Sequence, residues 1–388
     1  MKSTLIFLTA LFLFQVSCEQ DFSENRPYTV PDSLDDGLAV GTLNEVNIDA
    51  GMLAKVVGRI QQEKYKEVHS LLIYKDNMLV FEEYFQGHKY LWEGPGHHGE
   101  WVAWNRDMLH NIHSAAKSFT SACIGIAVDK GYIENVHQSI FDYLPDHQHL
   151  KRDGKENITI EHLLTMTSGL AWPEWSAPYS SGANPIIGVW FQEKDPISFI
   201  LEMPLVEEPG TAFNYSTGNI VVLGEIVRNA SGMTIDEFSG KYLFEPLAVD
   251  TFNWSVKYEN GVDANTLYIT PRVMVKFGAT YLNNGTWNGE QILPGSWVEK
   301  SATEYGNNHR INVPGEASGR LGYSYTWWTK TLSRKGQKIH MYTATGFGGQ
   351  HIMVLPEANT VVVFTCGNYL TRRPTFEILE RFIVPAII

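Results

Sequence analysis

Cysteine is scarce in this chain of 388 residues: only Cys18, Cys123 and Cys366 are present, too few for a disulfide framework. Cys123 and Cys366 sit in apolar stretches and read as small buried hydrophobes rather than catalytic thiols. A bond between those two stays open in an oxidising compartment. Positive charge is also in short supply, with 30 Lys and Arg against 43 Asp and Glu, a formal net charge of −13, and no sustained basic run. Phosphate binding needs clustered positive charge, so nucleic acid is excluded as an expected partner. There is no internal repeat, no low-complexity tract and no apolar run long enough to span a bilayer comfortably. What remains is ordinary for a soluble globular protein, at 44% hydrophobic and 19% charged residues. The length predicts one large domain or two interleaved ones.

The N-terminus reads as an export signal. Lys2 precedes an apolar run over residues 5–14, and Gln15-Val16-Ser17 forms a junction before Cys18. A cysteine placed there resembles the lipobox of bacterial lipoproteins, in which the thiol is acylated, although Gln15 departs from the aliphatic residue usual at its place. The expectation is a signal peptide over 1–17, a lipid attachment at Cys18 and a polar tether over 18–43. The protein is then expected in the bacterial periplasm or at the cell surface, held to the membrane by that anchor. A plain secretory signal is the alternative.

Apolar residues at helical spacing (Leu53, Val56, Val57, Ile60) predict a helix over 50–65. Strand-like runs over 70–74 and 78–85 predict a β-hairpin. Residues 114–128 are apolar on most faces and stop at Lys130-Gly131, which predicts a central, buried helix. Helices and loops follow to about residue 284, with Thr159 capping one helix and 220–229 forming another. Runs at 321–329, 339–343, 350–355 and 360–365 predict an antiparallel meander, and 375–383 an amphipathic closing helix. The fold class expected is α/β of the α+β type. An antiparallel sheet flanked by helices is drawn from 44–134 and 285–388, with an inserted, mainly helical domain over 135–284.

Ser114-Ala115-Ala116-Lys117 is the sole Ser-x-x-Lys of the chain. On a helix this offset places both side chains on one face. A serine hydroxyl needs a base to take its proton, and a lysine serves when burial disfavours its ammonium form. Chance alone supplies about one or two such tetrapeptides in a chain of this composition, so context must carry the argument. Two further segments provide it. Tyr215, in Asn214-Tyr215-Ser216-Thr217-Gly218-Asn219, is suited to relaying protons. The glycines of Thr345-Gly346-Phe347-Gly348-Gly349-Gln350 let backbone approach a substrate, with the Ser114 and Phe347 amides as oxyanion donors. Thr345, Gly346, Gly348, Trp172 and Asn219 are the expected pocket residues. His97, His98, His110 and His113 crowd near the nucleophile without carboxylate or cysteine at ligand spacing, so no metal is expected.

Taken together, these motifs resemble the serine β-lactamase and penicillin-binding-protein superfamily, in its class C-like branch. That branch also holds D-alanyl-D-alanine carboxypeptidases, family VIII-type esterases and aminohexanoate-oligomer hydrolases. Phe141-Asp142-Tyr143-Leu144-Pro145 and His162 to Leu170 look like the family too, and the likeness runs from about Val68 to the C-terminus. It implies acyl transfer through Ser114, with Lys117 and Tyr215 moving protons and no cofactor. Two departures stand out. The usual Tyr-x-Asn reads Tyr215-Ser216-Thr217, and the usual Lys/His-Thr-Gly reads Ala344-Thr345-Gly346. Loss of that carboxylate-binding cation favours a neutral ester or amide, a small molecule or short peptide or ester. The alternatives are a D,D-peptidase or weak β-lactamase, and a catalytically silent binding lipoprotein.

Overall fold

The computed structural model describes residues 28–388 except 180, 192–193, 255–256, 259–260 and 263–265. The segment expected to be a signal peptide, Cys18 and the first part of the expected tether therefore lie outside the described residues. Among those described, no helix is long and apolar enough to cross a membrane.

The core is an eight-stranded sheet. Its strands are β1 (Val68–Lys75), β2 (Met78–Tyr84), β3 (Ile311–Asn312), β4 (Arg320–Ser324), β5 (Trp327–Arg334), β6 (Gln337–Gly346), β7 (Gln350–Leu355) and β8 (Thr360–Cys366). They are ordered β3-β4-β5-β6-β7-β8-β1-β2, and neighbours pair antiparallel throughout. The two ends of the chain meet where β1 pairs with β8, in continuous register from Ser70↔Thr365 to Lys75↔Thr360, with a shift between Val68 and Ser70. Both strands are buried along their whole length, because helices cover both faces of the sheet.

Side-chain alternation assigns the faces. On one side His351 meets Phe376 of the C-terminal helical segment, ring centroids 5.2 Å apart. On the other, Ile352 and Val361 meet helix α4 (Pro271–Leu282), where a Cβ on Gly278 would stand 2.6 Å from Val361 Cγ1. Helix α1 (Ala50–Gln61) is capped by Asp49, which accepts from the Gly51 and Met52 amides, and buries Leu53, Val56, Val57 and Ile60. Helix α2 (Ala116–Asp129) is buried from Ala116 to Ala127, with α3 (Thr217–Ser231) packed beside it. Cys123 and Cys366 are both free and buried.

Two expectations change. The run 321–329 is a hairpin rather than one strand, turning at Tyr325 and Thr326 with φ of 44° and 70°. Neither is a usual left-handed residue. Tertiary bonds hold the turn: Ser121 Oγ donates to the Tyr325 carbonyl at 2.9 Å and Ser118 Oγ to that of Thr326 at 3.0 Å. The boundary at 284 also shifts, since α4 belongs to the layer on the sheet and not to the helical insertion.

The close packing at Gly278 yields a stability prediction. Gly278→Ala gains about 1 kcal/mol of helix propensity but drives a methyl into Val361 and Ile352. We expect a net loss of about 1–2 kcal/mol in denaturant unfolding.

Candidate active site

The segment ahead of α2 sets the nucleophile. Ser114 lies in a 3₁₀ turn, His113–Ala115, that leads directly into the helix. His113, just before it, holds φ at 47°, a left-handed conformation secured by its amide donating to Asn111 Oδ1 at 2.8 Å. From the first turn of α2, Lys117 reaches back so that its Nζ donates to Ser114 Oγ at 3.0 Å. The lysine is only 2% exposed, enclosed by the helix that the sequence predicts to be apolar on most faces.

Tyr215 arrives from the segment before α3, 7% exposed and stacked on Trp175 at 4.7 Å. Lys117 Nζ lies 5.2 Å from its ring centroid. Burial, and then the Glu174 carboxylate, push the Tyr215 phenol well above its ordinary range, while hydrogen bonding with Ser114 opposes them. The ring is therefore a protonated phenol at neutral pH.

The end of β6 closes the other side. A Cβ on Gly346 would stand 2.1 Å from the Ile112 carbonyl oxygen, so only glycine lets this strand lie against the segment carrying Ser114. Phe347 follows, and Gly348 and Gly349 turn the chain at φ of 85° and 99°.

Ser114 stands where two cavities meet. One, of about 770 Å³, is lined by Ser114, Trp175, Tyr215, Thr345, Gly346 and Arg373, among others. The second, of about 470 Å³, is aromatic, with Tyr90, Trp92, Trp190, Phe191, Tyr268 and Phe347 in its wall. Thr345, Gly346 and Phe347 thus stand beside Ser114. Trp172, Asn219 and Gly348, expected along the pocket, do not. Trp172 is buried behind the wall and donates Nε1 to Glu174 at 2.7 Å. Asn219 is fully buried, accepting from Ser168 Oγ at 3.1 Å. Gly348 packs under Tyr369.

The residue that sequence reasoning missed is Glu174. Its carboxylate accepts from Trp172 Nε1, Tyr179 OH, and both the amide and hydroxyl of Thr217, all at 2.7–2.8 Å. Thr217 occupies the place of the amide usual in the tyrosine motif, and its hydroxyl is spent on this buried carboxylate. That departure was the one signal available, and it did not identify the partner. Arg372 and Arg373 both line the larger cavity; Arg373 Nη1 donates to Glu316 Oε1 at 2.6 Å, with its guanidinium 5.3 Å from the Phe347 ring centroid. Burial pushes Glu316 up, but His351 and Arg373 together outweigh it and hold the carboxyl below its usual range.

An antiparallel sheet, a helical insertion, and a lysine amine on the oxygen of a helix-initiating serine define a serine hydrolase. A sequence model of the beta-lactamase family matches residues 53–375, and the chain belongs to that family. It is 24% identical over 270 residues to the 6-aminohexanoate-dimer hydrolase of Paenarthrobacter ureafaciens, covering 66% of each chain. Among solved structures it is similar to a family VIII carboxylesterase (TM-score 0.67, 15% identity, 90% of this chain and 99% of that one). It is also similar to the octameric penicillin-binding protein homologue from Pyrococcus abyssi (TM-score 0.63, 20% identity, 86% of this chain and 76% of that one).

Three histidines, of which His113 adjoins Ser114, predict acid sensitivity. His69, His110 and His113 are each held below the usual histidine range, chiefly by burial, His113 at about 3. The unfolded chain takes up these protons near pH ~6.5 while the native protein does not. Stability is therefore fully present above that pH and falls as pH drops from there toward 3. Urea unfolding across this range should show a steep decline that His113→Gln makes shallower; an unchanged slope would remove His113 from the account.

Proposed function

We propose that this protein is an exported hydrolase that cleaves a neutral ester or amide through an acyl-enzyme on Ser114. The observation that carries this reading is the 3.0 Å contact from Lys117 Nζ to Ser114 Oγ at the meeting point of two cavities. Ser114 Oγ attacks the carbonyl carbon and passes its proton to Lys117. The developing oxyanion is held by the Ser114 and Phe347 amides. Tyr215, kept as a phenol, gives a proton to the departing oxygen or nitrogen and is restored from Lys117. Water then attacks the acyl carbon and gives a proton to the same pair, which returns it to Ser114 Oγ as the acyl–Oγ bond breaks and the acid leaves.

Substrate charge is read from the mouth of the larger cavity. Arg373, buried and neutralised by Glu316, offers no uncompensated cation to a carboxylate, while Arg372 is exposed at the rim and shares Glu377 with Arg381. This supports a neutral substrate over the carboxylate-terminated peptides of a D,D-peptidase. The aromatic second cavity supports an apolar or aryl group on one side of the scissile bond.

Hydrolysis of a nitrophenyl ester tests the reading. Ser114→Ala is expected to reduce turnover to background, and Tyr215→Phe to lower kcat by about a hundredfold or more; full activity in Ser114→Ala sinks the proposal. Intact-mass analysis after penicillin exposure separates the rival, which requires a stable adduct on Ser114. The lipid anchor is tested separately. Membrane-fractionated protein should carry an acylated N-terminal cysteine at Cys18, and Cys18→Ser should release it into the soluble fraction.

A further inference from the structure

We propose that Glu67, His88 and His98 form a binding site for a divalent transition metal, of which zinc is the best match to the donors. The site lies outside the Ser114 centre, on a hairpin of strands Gln86–Tyr90 and His98–Ala103 that follows β2. His88 and His98 come from opposite strands of this hairpin, with ring centroids 4.4 Å apart and planes within 3°. Glu67 immediately precedes β1. One donor atom from each residue lies within 4.8 Å of the others.

The hydrogen bonds orient these donors as a metal requires. His98 Nε2 lies 2.9 Å from the Gly367 carbonyl oxygen. A carbonyl only accepts, so Nε2 carries the hydrogen and Nδ1 of the neutral ring keeps its lone pair. Ligating histidines are fixed in this way, by their second nitrogen bonding to a carbonyl or carboxylate. His88 Nδ1 and Glu67 Oε1 face each other at 2.8 Å, so an ion held by both takes the place of the hydrogen between them. Glu67 Oε2 in turn accepts from the His88 amide at 3.0 Å and faces His69 Nε2 at 3.3 Å, so the carboxylate is held from two sides.

Two imidazoles and one carboxylate suit zinc, copper or nickel better than calcium or magnesium. Tetrahedral bonds of about 2.0–2.1 Å place donors about 3.4 Å apart, so the side chains must close by about 1 Å. A cleft of about 650 Å³, lined by Lys66, Glu67, Tyr84, His88 and Trp101, gives the ion its approach and leaves a fourth position to water. The same hairpin and its connecting loop carry Tyr90, Trp92 and His97, which line the aromatic cavity beside Ser114. A bound ion braces that wall and takes no part in acyl transfer.

The test is a titration of Zn²⁺ into chelator-stripped full-length protein by calorimetry, with Co²⁺ absorption as a second probe. Wild type should bind one zinc that His88→Ala and His98→Ala each lose, and Glu67→Gln should weaken binding by about tenfold or more. Zinc should raise the Tm of wild type and not of the histidine variants. Retained ester hydrolysis shows that a variant is folded. If a variant does not fold, imidazole NMR of wild type decides, since zinc must move the His88 and His98 ring resonances. Absence of a stoichiometric zinc in wild type, equal binding in His98→Ala, or unmoved His88 and His98 resonances overturns the proposal.

Discussion

The contact between the Lys117 amine and the Ser114 hydroxyl depends on keeping water away from a side chain that ordinarily seeks it. Helix α2 accomplishes this by lying between the helical layer and the sheet, buried along nearly its whole length. The 3₁₀ turn at His113–Ala115 then lets Ser114 emerge into both cavities while Lys117, one turn on, stays inside. In such a low-dielectric setting a hydrogen bond is stronger and its geometry more fixed than at a surface. The rest of the site is arranged around this pair. Gly346 permits β6 to touch the segment before Ser114, and the Tyr325-Thr326 turn is tied to Ser118 and Ser121 on α2 itself.

A second buried charge shapes how protons move. All four acceptor positions of the Glu174 carboxylate are filled by Trp172, Tyr179 and Thr217. Its contribution is positional and electrostatic. It locks Thr217, and with it the turn that presents Tyr215, and its negative charge helps keep the phenol protonated. Tyr215 is then better suited to giving a proton than to taking one. In the proposed mechanism acceptance falls to Lys117, and His113, its imidazole held down to about 3 by burial, adds no positive charge beside it.

Much of this was readable in the chain because short-range rules govern it. The hairpin of β1 and β2, the helix α1 and the later meander follow from period alone, and Ser114, Lys117 and Tyr215 lie on motifs with a set offset or order. What escaped depended on tertiary contacts. Tyr325 and Thr326 carry no turn signal, and only hydrogen bonds from α2 make the left-handed pair tenable. Trp172 and Asn219 sit in the right segments, but their side chains turn inward to Glu174 and Ser168. Glu67, His88 and His98 are separated by 21 and 10 positions, a spacing no ligand pattern contains, and only strand pairing brings them together.

The loss of a cation at Ala344 therefore has a different meaning in three dimensions than in sequence. Ala344 is fully buried on β6, and the cavity mouth still holds an arginine. Arg373 is spent on Glu316, a carboxylate that His351 also faces at 3.6 Å, and its guanidinium lies over Phe347. Breaking such a buried pair to bind a substrate carboxylate would leave Glu316 facing His351 alone, at a cost of up to about 3–5 kcal/mol. A neutral substrate incurs no such cost. The same pair also packs against the residue whose amide faces the oxyanion in the proposed mechanism. Arg373 is thus better placed to support Phe347 than to recognise a charged ligand, which ties substrate neutrality to the geometry around Ser114.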